Sequence, residues 1–81
     1  MDNMFFLMTY RGHIYASHIV FKDKEERDDA LNREIRNARD QLIGGGLVEE
    51  FDVSQVVIMD MTHHPATKRL INHIVTEVCQ N

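Results

Sequence analysis

MFFLMTYRGHIYASHIVF, residues 4–21, is the stretch on which the fold turns. Its two halves, Met4–Tyr10 and His13–Phe21, are rich in aromatic and β-branched residues, and Arg11-Gly12 between them suits a two-residue turn. The stretch reads as an antiparallel β-hairpin. If Tyr10 faces His13 across the turn, then Met8 faces Tyr15 and Phe6 faces Ser17. Side chains alternate along a strand, so Met4, Phe6, Met8, Tyr10, His13, Tyr15 and Ile19 share one side. Phe5, Leu7, Ile14, Ala16 and Val20 share the other. A hairpin with one wet face alternates apolar with polar, whereas both faces of this one are largely apolar.

Downstream, Asp23 followed by Glu26 has the form of a capping box and places a helix start at Lys24, while Gly44 ends the helix. Acids crowd its first turns (Glu25, Glu26, Asp28, Asp29) and arginines its later ones (Arg33, Arg36, Arg39), matching the helix dipole. Asp29 and Arg33 are spaced as an i,i+4 ion pair. Leu31, Ile35, Ala38 and Leu42 define a narrow apolar stripe. The glycine triplet 44–46 breaks the chain. Leu47 to Asp52 reads equally as a loop or a short edge strand, with the further option that it folds back over the aromatic hairpin face. Gln55 to Met61 carries Val56, Val57, Ile58 and Met59 in unbroken series, as in a strand covered on both faces, and is expected to be the central or best-buried one. Pro65 suits the first turn of a second helix, along which Ala66, Leu70, Ile71, Ile74, Val75 and Val78 recur at helical spacing.

The expected fold is a single α+β domain, residues 1–81: a two-layer sandwich of ββαβα order, with the hairpin and a third strand in one sheet and two helices packed on one sheet face. If both helices cover Leu7, Ile14, Ala16 and Val20, then Phe6, Met8, Tyr10 and Tyr15 are left without cover.

Composition excludes several function classes. Cys79 is the only cysteine, which leaves no internal disulfide and points to a reducing compartment, with a cytoplasmic location in the producing or host cell expected. The apolar run Phe5 to Met8 is too short for a signal peptide or a membrane span. Thirteen acids against nine bases give a net charge of -4, unfavourable for neutralising phosphates.

Candidate chemistry is sparse. His63 and His64 are adjacent ahead of Pro65, a spacing unlike that of ligands gathered on one helical face, so a metal-dependent enzyme built on Asp60, His63, His64 and His73 is a minor alternative. Their plainer role is to cover a helix N-terminus. Cys79 has no base near it in sequence and reads as an ordinary small residue. The glycine triplet follows a helix and lacks a Lys-Ser/Thr pair, so it is not a phosphate loop. No catalytic residue, metal, cofactor or small-molecule substrate is expected.

What remains is a surface. Phe6, Met8, Tyr10 and Tyr15 match the makeup of a protein interface core and point to a non-catalytic interaction module, a small regulator, adaptor or inhibitor contacting itself as a homodimer or another protein. The same aromatics would serve as a stacking platform for single-stranded RNA or DNA, but only Arg11 and Lys22 accompany them. Glu25, Glu26, Asp28, Asp29, Glu49, Glu50 and Asp52 form a possible acidic contact surface, whose plain counterpart is a solvated helix face. Small acidic chains of this kind are often viral or mobile-element accessory proteins acting on a host component.

Overall fold

A computed structural model describes residues 1–69 of the chain. The hairpin forms as the pattern dictates. Strand β1 (Asp2–Tyr10) pairs antiparallel with β2 (His13–Phe21), with Tyr10 opposite His13, Met8 opposite Tyr15 and Phe6 opposite Ser17. Arg11 and Gly12 both take positive φ (46° and 83°), the geometry of a type I′ turn whose twist matches the flanking strands.

Helix α1 spans Lys24–Gly44. The Asp23 carboxylate accepts from the Glu26 N–H at 2.9 Å, and the Glu26 carboxylate accepts from the Lys22 N–H at 2.8 Å, one residue ahead of the usual capping-box partner. Gly46 takes up the left-handed conformation (φ 71°) just beyond the helix end. Among the described residues the ion pairs along α1 join Arg27 to Asp28 and Arg39 to Asp40; Asp29 and Arg33 are not paired.

A 3-10 turn (Val53–Gln55) leads into β3 (Val57–Asp60), and the sheet order is β2-β1-β3. The central strand is thus β1, and the expectation that the Val56–Met59 run holds the centre is corrected. In β3, Ile58 faces the core while Val57 and Met59 lie on the side of the sheet away from α1. The chain is α+β with ββαβα order. Residues 65–69 are helical, and the Leu70–Val78 periodicity, His73 and Cys79 lie outside the described residues.

The larger correction concerns the two hairpin faces. Helix α1 packs on the side carrying Phe6, Met8, Tyr10 and Ile19, where the first three retain only 1–2% of their exposure. Three effects favour this face. Phe6, Met8, Tyr10 and Tyr15 withdraw more apolar area from water than Leu7, Ile14, Ala16 and Val20 would. The helix meets them with Ala30 and Ala38, small enough to let it approach large side chains. Both tyrosine hydroxyls also find partners at the rim: Tyr10 accepts from the Asp52 N–H at 3.0 Å, and Tyr15 donates to Glu34 at 3.0 Å. Leu47 to Asp52 is irregular and folds back, with the Phe51 ring 4.5 Å from that of Tyr10.

The β1–β3 joint is extended past Asp60 by side chains. Thr62 Oγ1 accepts from the Phe5 N–H at 3.0 Å and donates to Asp60 Oδ1, while the Met61 N–H donates to the Phe5 carbonyl at 2.7 Å. The hydrogen bonds from Thr62 hold the Asp60 carboxyl below its ordinary range. Because the folded-state value is depressed, this stabilisation is complete above the unfolded value and disappears as pH falls through the folded one. Asp60→Ala is expected to cost about 0.5–1 kcal/mol at neutral pH. The gap between variant and parent, measured by urea unfolding across a pH series, should close below about pH 4.

Candidate functional site

The residues singled out by sequence separate into distinct places. Phe6, Met8 and Tyr10 are core, and Tyr15 is half-buried beside α1, its phenol pushed up by partial burial and further by the hydrogen bond and charge of Glu34. The aromatic contact surface expected from the sequence therefore does not exist as a surface. A base-stacking platform on the same rings loses its footing for the same reason.

The acidic residues divide between the two ends of α1. Glu25, Glu26, Asp28 and Asp29 are exposed on its first turns, whereas Glu49, Glu50 and Asp52 lie near the hairpin tip, where Glu50 stands 4.0 Å from Arg11. Asp29 of the first group and Val53, the neighbour of Asp52, border one groove beside α1. The Asp52 carboxylate caps the 3-10 turn by accepting from the Ser54 N–H and hydroxyl, which holds its carboxyl below the ordinary range.

The histidines are equally dispersed. His64 Nδ1 accepts from the Ala66 N–H at 3.1 Å and so caps the start of the second helix, the plain role its position suggested. No group of three or more His, Cys, Asp or Glu is placed to hold a metal among the described residues. A groove of about 600 Å3 is bordered by Asp29, Arg33, Arg36, Arg39 and Val53, in which no nucleophile and base are paired.

Among the described residues, the other side of the hairpin is left open. On the sheet face away from α1, the register aligns Ile14, Thr9 and Val57 in one row, Ala16, Leu7 and Met59 in the next, and His18 with Phe5 in a third. Ile14 is 71% exposed, Val57 59%, Met59 56% and Val20 52%. The His18 ring stacks on Phe5 with centroids 4.0 Å apart. At this end a depression of about 380 Å3 is bordered by Phe5, Leu7, Ala16, Met61 and Thr67, so the second helix begins beside the open face. The face carries no formal charge in these rows. The hairpin pattern groups Phe5, Leu7, Ile14, Ala16 and Val20 on one face, but this face lies away from α1 and is continued by Val57 and Met59 of β3, which the local sequence does not indicate. The signal for β3 was its register against β1, which no local pattern reveals.

No family model, no curated protein and no solved structure matches the chain. Among the described residues, no helix is long and apolar enough to cross a membrane.

Proposed function

We propose that the chain is a non-catalytic interaction module that contacts another protein through the aliphatic sheet face of Leu7, Ile14, Ala16, Val20, Val57 and Met59. The observation that supports this reading is the exposure of four large apolar side chains on contiguous strands of one face. Water contact there is unfavourable by roughly 25 cal/mol per Å2 of apolar surface, which a partner would relieve. The absence of charge suits the centre of an interface, with the acids of α1 and the 49–52 segment kept away from it. Its role is that of a small regulator, adaptor or inhibitor.

The test compares the parent with Val57→Lys and Met59→Lys in affinity capture from the source cell. Both substitutions lie on exposed side chains of the edge strand β3, so unfolding midpoints should change by no more than about 0.5 kcal/mol in equivalent stability. Proteins retained by the parent should be lost from both variants. An identical set of captured proteins would remove the face from the reading.

A further inference from the structure

We infer that a second copy of this chain docks along the free edge of β2, joining two three-stranded sheets into one of six strands. Among the described residues, the sheet order β2-β1-β3 leaves one side of β2 unpaired over its full nine residues. An edge of that length normally carries protection against further pairing: a lysine, a proline, a bulge or an inward-pointing charge. The strand HIYASHIVF has no Lys, Arg, Asp, Glu, Pro or Gly, and its register against β1 is unbroken from His13 to Phe21. The opposite edge is treated differently. Strand β3 is four residues long and is closed by Asp60, whose carboxylate turns back onto Thr62.

The hairpin turn fixes which backbone groups are free. Residues flanking a two-residue turn exchange the closely spaced pair of hydrogen bonds, so Tyr10 and His13 do so, and the bonded positions of β2 are the odd ones. Ile14, Ala16, His18 and Val20 consequently aim their N–H and C=O groups outward. An antiparallel copy centred on Ser17 pairs Ile14 with the second copy's Val20 and Ala16 with its His18, then repeats both pairs across the two-fold axis. Every outward group meets an outward group, and every apolar side chain meets an apolar or uncharged one. The strand is self-complementary about its middle residue.

Charge and size agree with a second copy as the occupant. Each chain has a net charge of -4, yet the edge itself carries no acid, so two copies meet there without like charges in contact. Four pairs exchanging two bonds each make about eight backbone hydrogen bonds. At one bond per 100–200 Å2, that number is typical of an interface of standard size. The joint does not depend on the aliphatic face having a partner. It would, however, make the two faces continuous.

Amide hydrogen exchange and sedimentation of the full chain test the joint. The parent should sediment at about twice 9.5 kDa. The amides of Ile14, Ala16, His18 and Val20 should slow about tenfold or more as concentration rises through the dissociation range, while those of Tyr15, Ser17 and Ile19 stay constant as bonds within one copy. Ala16→Pro removes one outward N–H at the centre of the edge without touching the β1 ladder, and should be monomeric with the odd-numbered amides still protected. If that variant does not fold, the exchange pattern of the parent decides alone. A monomeric parent, a dimer in which the four outward amides exchange freely, or a dimer that survives Ala16→Pro would overturn the proposal. Met59→Lys, on the far side of the sheet, should leave the dimer intact. Loss of the dimer in that variant, with the outward amides still unprotected in the parent, would mean face-to-face association and would sink the edge joint while sparing the face reading.

Discussion

Phe6→Ala is expected to cost about 3–5 kcal/mol, the range for removing a buried phenylalanine and leaving its cavity. Phe6 is 1% exposed on the central strand and contacts the only helix layer covering that side of the described sheet. A domain of 81 residues has roughly 4–12 kcal/mol of total stability at 0.05–0.15 kcal/mol per residue. The substitution therefore removes about a quarter of it or more. With a urea slope on the order of 1–1.5 kcal/mol/M for a chain of this size, the unfolding midpoint should fall by about 2–5 M, and the variant is unfolded in water if the parent lies at the weak end. Ile14→Ala provides the contrast. It removes three carbons from a side chain 71% exposed, and should shift stability by no more than about 0.5 kcal/mol. Equal losses from the two substitutions would mean that the helix covers the other face.

Ala30→Leu carries the second largest effect, with the opposite steric sense. Ala30 lies in the core cluster with Phe6, Met8 and Ile19 and is almost fully buried, so three added carbons have nowhere to go unless α1 lifts away from β2. Overpacking of this kind costs about 1–3 kcal/mol, although leucine and alanine are both strong helix formers and local helicity changes little. Arg36→Ala, on the exposed side of the same helix, should be neutral to about 0.5 kcal/mol. Thermal unfolding of the three proteins checks the order. A neutral or stabilising Ala30→Leu would show that the helix does not sit closely on the aromatic face.

Both expectations invert what the hydrophobic pattern alone implies. The sequence stripe on α1 was read as Leu31, Ile35, Ala38 and Leu42, which gives leucine and isoleucine the central place. In the fold the fully buried positions of α1 are Ala30 and Ala38, with Leu31 and Ile35 partly buried around them. Small residues are inconspicuous in a periodicity count because their own apolar area is small. Their importance comes from the size of what lies opposite, and that is a property of two elements together.

The same reasoning explains why the contact surface was misplaced. Aromatic and methionine side chains match an interface core and a protein core equally well, since both remove large apolar areas from water. Composition cannot separate the two cases. The separation came from the rim, where Asp52 and Glu34 supply partners to the hydroxyls of Tyr10 and Tyr15 and so allow those rings to be buried without stranding a polar group. Glu34 and Asp52 lie 19 and 42 residues from the tyrosines they serve.

By itself the sequence determined the hairpin, its turn, its register and the membership of each of its faces, together with both ends of α1 and the ββαβα order. Each of these rests on neighbours within a few residues: positive φ at Arg11-Gly12, the period of two along a strand, the carboxylate of Asp23 at a helix start. Only the tertiary structure decided which face is core, that β1 rather than the Val56–Met59 run is central, and that among the described residues an aliphatic face and the edge of β2 stay open. Those outcomes depend on which surfaces meet across tens of residues, where the complementary sizes of Ala30 and Phe6 and the reach of Asp52 to Tyr10 select one packing over another.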